Sequence, residues 1–299
     1  MPEVSILMNA YNSELYLEEA INSIYSQTFS DWEIIFIYNC SIDQTSRIAH
    51  SYDSRLKYFK TDKNISLGAA RNFGLKFVKG KYLTFLDTDD LWESNKLEDQ
   101  LGYIRNSNHS FIYSSVKIIN PDGLVLRTTK INKKFNIETL LARPDINMHS
   151  TMINLNIQKV SFNDKLFFCP DLQLFMSIVA SGGTYLGLDI PLIRYRIHPN
   201  SLSKETRNIQ QKEVLNVYNM IKDDFPNVYE ANLSSFNKGL NKVQYLLKIK
   251  SELEKNNKLK AIFFLLKLSK FNIRYLFVAF SLSVPILNKK ITNKLINHY

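Results

Sequence analysis

The first 120 residues of the chain alternate short apolar runs with stretches in which apolar residues recur every three or four positions. The apolar runs have the length and composition of buried strands. They are Val4–Met8, Glu33–Tyr38, Leu56–Phe59 and Tyr82–Leu86. The stretches with helical spacing are 17–24, 43–50, 67–78 and 93–105. This alternation predicts an α/β fold with a mostly parallel sheet, in which ligands bind beyond the carboxyl ends of the strands.

The middle of the chain has a different pattern. Residues 111–119 and 124–130 flank Asn-Pro-Asp-Gly, a strong turn signal that predicts a hairpin. A helix predicted over 170–180 precedes two glycines and another apolar strand run. Beyond Glu205 the pattern is helical, so we predict a helical region after the α/β domain.

The composition of the 299-residue chain is that of an ordinary globular protein. Hydrophobic residues make up 45% and charged residues 22%, which excludes a wholly disordered chain. Two cysteines, Cys40 and Cys169, cannot form a disulfide framework, so a reducing cytosol is the simpler setting. No run reaches the roughly 18 uncharged apolar residues of a membrane span. The first residues do not have the pattern of a signal peptide.

The net charge of +10 comes almost entirely from the end of the chain. Residues 255–299 hold nine Lys or Arg and no acid, which leaves 29 bases and 28 acids in residues 1–254. A nucleic-acid binder would carry its basic residues across the folded surface, so we expect no nucleic-acid partner. A helix over 258–274 would place basic residues on one side, which is typical of a helix lying on an anionic membrane surface. The alternative is a helical cap packed on the domain, or a contact in a homo-oligomer.

Three carboxylates follow the predicted strand 82–86 within four residues, as Asp87, Asp89 and Asp90. Carboxylates this close repel one another and are tolerated when a divalent cation neutralises them. Mg²⁺ or Mn²⁺ prefers one or two carboxylates together with diphosphate oxygens and water, so the cluster suits a cation that bridges the protein and a nucleotide diphosphate. The alternative is an acidic loop before the helix near Glu93, where Asp is favoured in any case.

Polar residues also follow the first two predicted strands. Asn39 and Ser41 come after the second strand, and Asn9 and Tyr11 come after the first. These side chains could contact a base or a ribose, and the Tyr11 ring could stack on a base. The alternative for both segments is a strand-to-helix turn, in which Ser41 or Asp43 caps the helix.

Several short motifs occur in a characteristic order. They are Val4–Leu7 with Tyr11–Asn12, Ile24–Phe29, Glu33–Ile37 with Ser41 and Asp43, Gly68–Asn72, Gly80–Tyr82, Phe85–Trp92, Pro170–Asp171, and Tyr195–His198 with Ser201 and Ser203. In this order they resemble the family 2 glycosyltransferases, the inverting bacterial enzymes with the GT-A fold, over roughly residues 3–203. The resemblance implies a Rossmann-like GT-A domain over 1–205, followed by an α-helical region over 206–299. The nucleotide-binding half is expected at about 1–120 and the acceptor-binding half at about 121–205.

The resemblance also implies roles for individual residues. Asp87 and Asp89 match the D-x-D pair: Asp89 would hold the cation, Mn²⁺ or Mg²⁺, and Asp87 would contact the ribose or assist. The division of these roles among Asp87, Asp89 and Asp90 stays open. Tyr11 matches a residue that lines the base pocket, and Arg71 matches a basic residue near the nucleotide. Asp171 matches the general base, which deprotonates the acceptor hydroxyl as it attacks the anomeric carbon opposite the diphosphate. An ordinary acid at a helix N-terminus is the alternative for Asp171.

Four further residues are candidates from the same resemblance. His198 lies in a segment that folds over the diphosphate in related enzymes and could reach the metal, and a surface-loop histidine is the alternative. Asp90 and Arg196 are candidates for the diphosphate or acceptor site. Arg194 is the alternative to Arg196, because the two lie two residues apart and one of them could face the diphosphate. His149 lies where the family often has polar acceptor-site residues, and a structural role is the alternative.

The sequence departs from the family after the second strand. The usual Asp-Asp-Gly-Ser is Tyr38-Asn39-Cys40-Ser41 here. The resemblance implies that Asn39 stands where a carboxylate accepts the N3–H of uracil. An Asn amide accepts this bond without charge, or donates to an acceptor such as cytosine N3. Three interpretations follow, namely weaker use of a UDP-sugar, preference for another nucleotide such as CDP, or a different mode of base binding. A UDP-sugar stays the favoured donor.

Because Asp87, Asp89 and Asp171 are all present, we predict a working inverting hexosyltransferase. It would move a sugar from a nucleotide-sugar to a glycan or lipid-linked acceptor in surface polysaccharide synthesis, such as that of capsule or lipopolysaccharide. The enzyme would be cytoplasmic and peripheral on the inner face of the cell membrane. The alternative is a non-catalytic GT-A-fold subunit of a membrane-associated glycan-assembly complex, which only the altered Tyr38–Cys40 motif supports.

Overall fold

A computed structural model describes residues 1–131, 137–142, 146–199 and 207–269. The chain forms two compact units, residues 1–140 with 144–205 and residues 141–143 with 206–299. The part of the predicted basic tail beyond residue 269 lies outside the described residues.

The first unit is built on a mixed sheet, with nine strands in the described part of the chain. They are β1 (Val4–Ala10), β2 (Trp32–Tyr38), β3 (Leu56–Lys60), β4 (Tyr82–Phe85), β5 (Leu91–Trp92), β6 (Phe111–Ile119), β7 (Val125–Thr128), β8 (Thr151–Asn154) and β9 (Tyr185–Arg196). Their order is β3-β2-β1-β4-β8-β6-β9-β5, with β7 paired to β6. Strands β3, β2, β1 and β4 are parallel, whereas β8 is antiparallel to both β4 and β6. The predicted mostly parallel α/β fold is confirmed.

Helices connect these strands and cover the sheet. They are α1 (Leu17–Tyr25), α2 (Thr45–Ala49), α3 (Leu67–Leu75), α4 (Lys96–Ile104), α5 (Ile137–Ala142) and α6 (Pro170–Ala180). Helix α1 buries Leu17, Ala20, Ile21 and Ile24, the four residues whose spacing places them on one face. Each of the three large side chains, Leu17, Ile21 and Ile24, contributes about 1.5–3 kcal/mol of burial free energy, so this face holds α1 on the sheet.

Two elements differ from the sequence pattern. Strand β8 has only four residues and β5 only two, so neither is long enough to show the alternation of apolar and polar residues that predicts a strand. They form because longer strands lie beside them, β6 next to β8 and β9 next to β5. The helix predicted over 67–78 ends at Leu75. There, Phe77 N–H donates to Gly74 O, a bond over three residues that tightens the last turn and ends the α-helix.

The second unit is helical where it is described. Its main helices are α7 (Arg207–Asp224), α8 (Pro226–Ala231), α9 (Leu233–Glu254) and α10 (Lys258–Ser269). Asn256 has a φ of 57° in the turn between α9 and α10, a left-handed conformation common after a helix. Ile249 of α9 packs with buried residues of α10 in a small apolar cluster. Within the described residues, we find no helix with both the length and the apolar character that a membrane crossing requires.

Candidate functional site

Three loops meet at the carboxyl ends of β1, β2 and β4, because these strands are parallel neighbours. Asn39 N–H, just after β2, donates to Ala10 O at the end of β1 at 2.9 Å. Thr88, in the acidic loop after β4, donates through Oγ1 to Ser13 Oγ at 2.8 Å. The polar residues that follow the three strands therefore share one edge of the sheet.

His149 bridges two of the three carboxylates in the acidic loop. Its Nε2 lies 2.7 Å from Asp87 Oδ2, and its Nδ1 lies 2.5 Å from Asp90 Oδ2. The ring is buried on a short 3-10 helix, Met148–Ser150, and Asn147 Oδ1 accepts from the His149 backbone N–H at 3.0 Å. Ionised carboxylates only accept hydrogen bonds, so a ring that bonds to both of them is the doubly protonated imidazolium.

The bridge shifts the pKa values of its three members. Burial by itself lowers the pKa of His149, but the charges of Asp87 and Asp90 outweigh it and hold this pKa well above the usual range. Burial raises the pKa of Asp90 to about 6, against the opposing effect of His149. Burial also acts to raise the pKa of Asp87, but His149 and then Arg71 lower it below its ordinary value. The bridge neutralises part of the cluster and leaves Asp89 outside it.

Asp89 pairs with a different histidine. Its Oδ2 lies 3.0 Å from His198 Nε2, and the Tyr16 ring packs against His198 at a centroid distance of 5.1 Å. A carboxylate oxygen and an imidazole nitrogen are both metal-ligating groups, so Asp89 and His198 are the residues that would hold a divalent cation here. Among the described residues, no cluster of three His, Cys, Asp or Glu forms a metal site on its own. The remaining ligands would be water and diphosphate oxygens.

Arg71 on α3 brings a buried positive charge to the cluster. Its side chain is 3% exposed, and its Nη2 lies 3.8 Å from Asp87 Oδ1. Its Nη1 has no hydrogen-bond partner among the residues that the structure describes. The guanidinium lies near the rings of Phe85 and Phe162, 5.8 and 5.4 Å from their centroids. A buried cation with an unpaired donor is costly until an anion binds it, which makes Arg71 a candidate ligand for a diphosphate.

Arg196 joins the acidic loop to two other parts of the first unit, the turn after β6 and helix α1. Its Nε donates to Asp89 O at 3.0 Å, its Nη1 to Pro121 O at 2.6 Å and its Nη2 to Glu19 Oε2 at 2.7 Å. The guanidinium also stacks over the Tyr16 ring at 4.3 Å. These contacts give Arg196 a positioning role for Asp89, and its predicted contact with a diphosphate stays a prediction.

The Asn39 side chain is buried and fully engaged by the segment after β3. Its Oδ1 accepts from Thr61 Oγ1 at 3.1 Å and from Ile65 N–H at 3.0 Å. Its Nδ2 donates to Ile65 O at 2.9 Å and to Asn64 Oδ1 at 3.3 Å. An amide has two acceptor positions and two donors, so all four are used. The predicted contact of Asn39 with the base stays a prediction, and it would require one of these bonds to break.

Replacing Asn39 with Asp is expected to destabilise this loop. The carboxylate cannot donate to Ile65 O, which leaves that carbonyl beside a negative charge. We expect the free energy of unfolding to fall by about 1–3 kcal/mol, measured by urea unfolding. The exposed Asn156→Asp is the matched control and should stay within about 0.5 kcal/mol of the parent. An Asn39→Asp variant of parental stability with tighter UDP binding would contradict this interpretation.

The other predicted base-site residues lie in the loops after β1 and β2. Ser41 Oγ accepts from Asn12 N–H at 2.9 Å, which joins the two loops. Cys40 has a φ of 59°, a left-handed conformation that favours glycine, which accounts for the glycine that the family has at this position. Asn9 Oδ1 is buried and has no hydrogen-bond partner among the described residues, whereas Tyr11 is half exposed. Both side chains therefore retain groups that a ligand could contact.

Asp171 lies in the first turn of α6, directly after Pro170. Its Oδ1 accepts from Leu172 N–H at 2.9 Å, and its side chain is partly exposed. Proline at the first position and an acid in the first turn both favour the start of a helix. Within the described residues, no ion pair or hydrogen bond joins Asp171 to the acidic loop. Its role as general base stays a prediction.

Lys96 is fully buried on α4, and no sequence motif marked it as part of the site. Its Nζ donates to Thr84 Oγ1 at 2.9 Å and to Gln100 Oε1 at 2.7 Å, and burial lowers its pKa well below the usual range. Thr84 and Gln100 in turn donate to the carbonyls of Thr151 and Ser150, at 2.6 and 2.8 Å. This chain of bonds fixes the two residues that follow His149. The position of Lys96 on the apolar face of α4, four residues before Gln100, is the signal that could have found it.

Replacing Lys96 with Met is expected to lower the free energy of unfolding by about 1–3 kcal/mol. The change keeps the side-chain volume but leaves buried acceptors on Thr84 and Gln100 without their donor. Urea unfolding measures the effect, and Lys79→Met, on an exposed side chain, serves as the control. A Lys96→Met variant as stable as the control would show that this network contributes little.

Comparison with known families gives a match over much of the chain. The model of the family described as "Glycosyl transferase family 2" matches residues 5–175. The chain is 29% identical over 210 residues to the putative teichuronic acid biosynthesis glycosyltransferase TuaG of Bacillus subtilis, which covers 68% of this chain and 82% of that protein. It is 29% identical over 202 residues to the UDP-Glc:alpha-D-GlcNAc-diphosphoundecaprenol beta-1,3-glucosyltransferase WfgD of Escherichia coli. That match covers 67% of this chain and 79% of WfgD.

Solved structures share the fold at lower identity. The crystal structure of S. aureus TarS 1-349 in complex with UDP-GlcNAc has a TM-score of 0.67 and 18% identity, covering 89% of this chain and 81% of that one. The mannosyltransferase PcManGT from Pyrobaculum calidifontis, in complex with GDP-Man and Mn2+, has a TM-score of 0.64 and 14% identity. That likeness covers 99% of this chain and 85% of PcManGT. These likenesses confirm the GT-A fold that the sequence motifs implied.

Proposed function

Because the chain belongs to glycosyl transferase family 2, we propose that it moves a sugar from a nucleoside diphosphate sugar to a hydroxyl group in cell-surface polysaccharide synthesis. The observation that carries the proposal is the pair Asp89 and His198, whose carboxylate oxygen and ring nitrogen lie 3.0 Å apart. Arg71, 3.8 Å from Asp87 in the same acidic loop, has an Nη1 without a hydrogen-bond partner among the described residues. Two metal ligands and a buried cation at the ends of parallel strands suit a metal-bound diphosphate.

A UDP-sugar is the favoured donor, with Mn²⁺ or Mg²⁺ as the cation. TarS has been crystallised with UDP-GlcNAc, and the name of WfgD specifies UDP-Glc. PcManGT was crystallised with GDP-Man and Mn2+, so the fold accommodates more than one base. Asn39 bears on this choice, because its amide is engaged within the protein and offers no carboxylate to uracil.

The residues of the site divide the reaction among them. Asp89 and His198 would hold the cation, which stabilises negative charge on the leaving diphosphate. Arg71 would pair with the same diphosphate. Asp171 would accept the proton of the acceptor hydroxyl while its oxygen forms a bond to the anomeric carbon and the bond to the diphosphate oxygen breaks. Attack from the face opposite the diphosphate inverts the anomeric configuration, and no protein nucleophile is needed.

The proposed acceptor is a glycan or a lipid-linked glycan. The name of WfgD specifies a diphosphoundecaprenol acceptor, and that of TuaG places it in teichuronic acid biosynthesis. An acceptor with a lipid anchor would be met at the membrane surface, which suits an enzyme peripheral to the inner face of the cell membrane.

A non-catalytic subunit of a glycan-assembly complex is the second candidate. The observation that favours it is the internal engagement of Asn39, which leaves no carboxylate at a position where the family has one. Such a subunit would keep the fold without metal-dependent binding of nucleotides.

Calorimetric titration distinguishes the two candidates. UDP, CDP, GDP and dTDP are each titrated into the protein with and without Mn²⁺, with Asp62→Ala as a control on an exposed acid. Tight binding of one nucleotide that requires Mn²⁺ supports the transferase and identifies its donor class. A folded protein that binds none of the four favours the non-catalytic subunit.

A further inference from the structure

Helix α10 has apolar residues on two opposite faces. The face packed with α9 consists of Ala261, Leu265 and Leu268. The opposite face carries Leu259, Phe263 and Leu266, which are 82%, 52% and 45% exposed. Both faces follow the i, i+4, i+7 spacing that aligns side chains along a helix. We call Leu259, Phe263 and Leu266 the exposed stripe.

Lysines flank the exposed stripe on both sides. At about 100° per residue, Lys260 and Lys267 fall on one side of the stripe and Lys258 falls on the other. Lys267 Nζ lies 4.6 Å from the centroid of the Phe263 ring, so this lysine lies directly along the stripe. The sequence has no acid from Lys255 to the end, so no carboxylate of α10 offsets these charges.

We propose that the exposed stripe of α10 binds an anionic lipid surface. Large apolar side chains in a row, bordered by lysines whose stems are apolar and whose ends are charged, are typical of helices that lie in the headgroup region. The lysines match the negative surface of a membrane that contains acidic phospholipid. A second copy of this chain packed about a two-fold axis on the same face would bring like charges together, which disfavours self-association. The inference goes beyond the proposed reaction and needs only this helix.

The test is co-sedimentation of the full chain with vesicles. One set contains phosphatidylcholine alone, and the other has about one third phosphatidylglycerol, at low and high salt. We expect at least about tenfold stronger partition onto the anionic vesicles, weakened by salt. Substituting the exposed stripe as Leu259→Ser, Phe263→Ser and Leu266→Ser should reduce that partition by at least about tenfold. The double variant Ile209→Ser with Leu233→Ser changes exposed apolar residues elsewhere in the second unit and should bind as the parent does.

A second variant tests the charges without altering the apolar stripe. Lys260→Gln with Lys267→Gln should weaken binding to anionic vesicles by roughly fivefold for each lysine and leave helix content unchanged by circular dichroism. Nucleotide binding, measured on the same preparations, separates a failure of this proposal from a failure of the proposed reaction.

Three outcomes would overturn the proposal. One is a parent protein with a normal thermal transition that does not sediment with anionic vesicles. Another is a parent protein that is a dimer and does not bind vesicles, together with a stripe variant that is a monomer. This result would assign the exposed stripe to contact with a second copy of the chain. The third is a stripe variant that melts at a lower temperature while the parent ignores vesicles, which assigns the face to residues 270–299 of the chain itself.

Discussion

Replacing Asp89 with Ala is expected to abolish metal-dependent sugar transfer, with a loss of at least about 10²–10³-fold in turnover. Asp89 Oδ2 and His198 Nε2 lie 3.0 Å apart, and both are proposed to bind the cation. Without the carboxylate, only His198 of the pair would remain to hold the cation, and the charge of the diphosphate would be poorly compensated. Initial rates across a Mn²⁺ titration measure the effect.

The matched control for this variant is Asp62→Ala, which removes an exposed acid in the same unit. It should keep the parental Mn²⁺ dependence. Thermal unfolding checks that Asp89→Ala folds, and calorimetry with UDP checks that the metal-dependent part of binding is the part that is lost. A folded Asp89→Ala protein with turnover within tenfold of the parent would show that the cation is held elsewhere.

Replacing Asp171 with Asn is expected to lower turnover by about 10²–10⁴-fold while binding of the nucleotide survives. The Asn side chain keeps an oxygen that can accept from Leu172 N–H, so the start of α6 is preserved, but a neutral amide cannot take the acceptor proton. The measurement compares kcat with the affinity for UDP and Mn²⁺. Asp62→Asn is the control for the general effect of removing a charge.

The outcome for Asp171 separates a base from a structural acid. If Asp171 is the general base, Asp171→Asn has a lower kcat but keeps the melting temperature and the nucleotide affinity of the parent. A variant that loses stability and activity together would make Asp171 a helix-terminal acid, and one with near-parental turnover would place the base on another residue.

The central strands could be predicted from the sequence because they are buried on both faces. Strands β1 and β2 are largely apolar and almost entirely buried, with a few polar residues such as Ser5 and Glu33, and parallel strands under helices require such near-continuous apolar runs. Strand β8 could not be predicted, since its four residues carry no period and its place between β4 and β6 depends on contacts with both. Prediction succeeded where a single segment carried the whole signal.

The candidate site divides in the same way. Asp87, Asp89 and Asp90 could be picked out because they follow a buried strand, where the fold class places ligands. The bridge that His149 forms between Asp87 and Asp90 could not be predicted. His149 and Asp90 are 59 positions apart, and His149 lies directly before β8, a strand that the sequence pattern did not show. Lys96 was missed because a lysine is normally solvated. Only its position on the buried face of α4 indicates that this lysine is buried.

The acidic loop depends on residues that are synthesised long after it. His149, Arg196 and His198 all follow Asp90, and the bond from Arg196 to Glu19 spans 177 positions. A nascent chain that ends near residue 120 therefore carries the three carboxylates with Arg71 beside Asp87, but without the two histidines that pair with them. Contacts of such long range form late during folding. Asp89 and His198, the two residues proposed to hold the cation, are both present only once the chain has reached residue 198. A shorter chain therefore lacks one of the two proposed ligands.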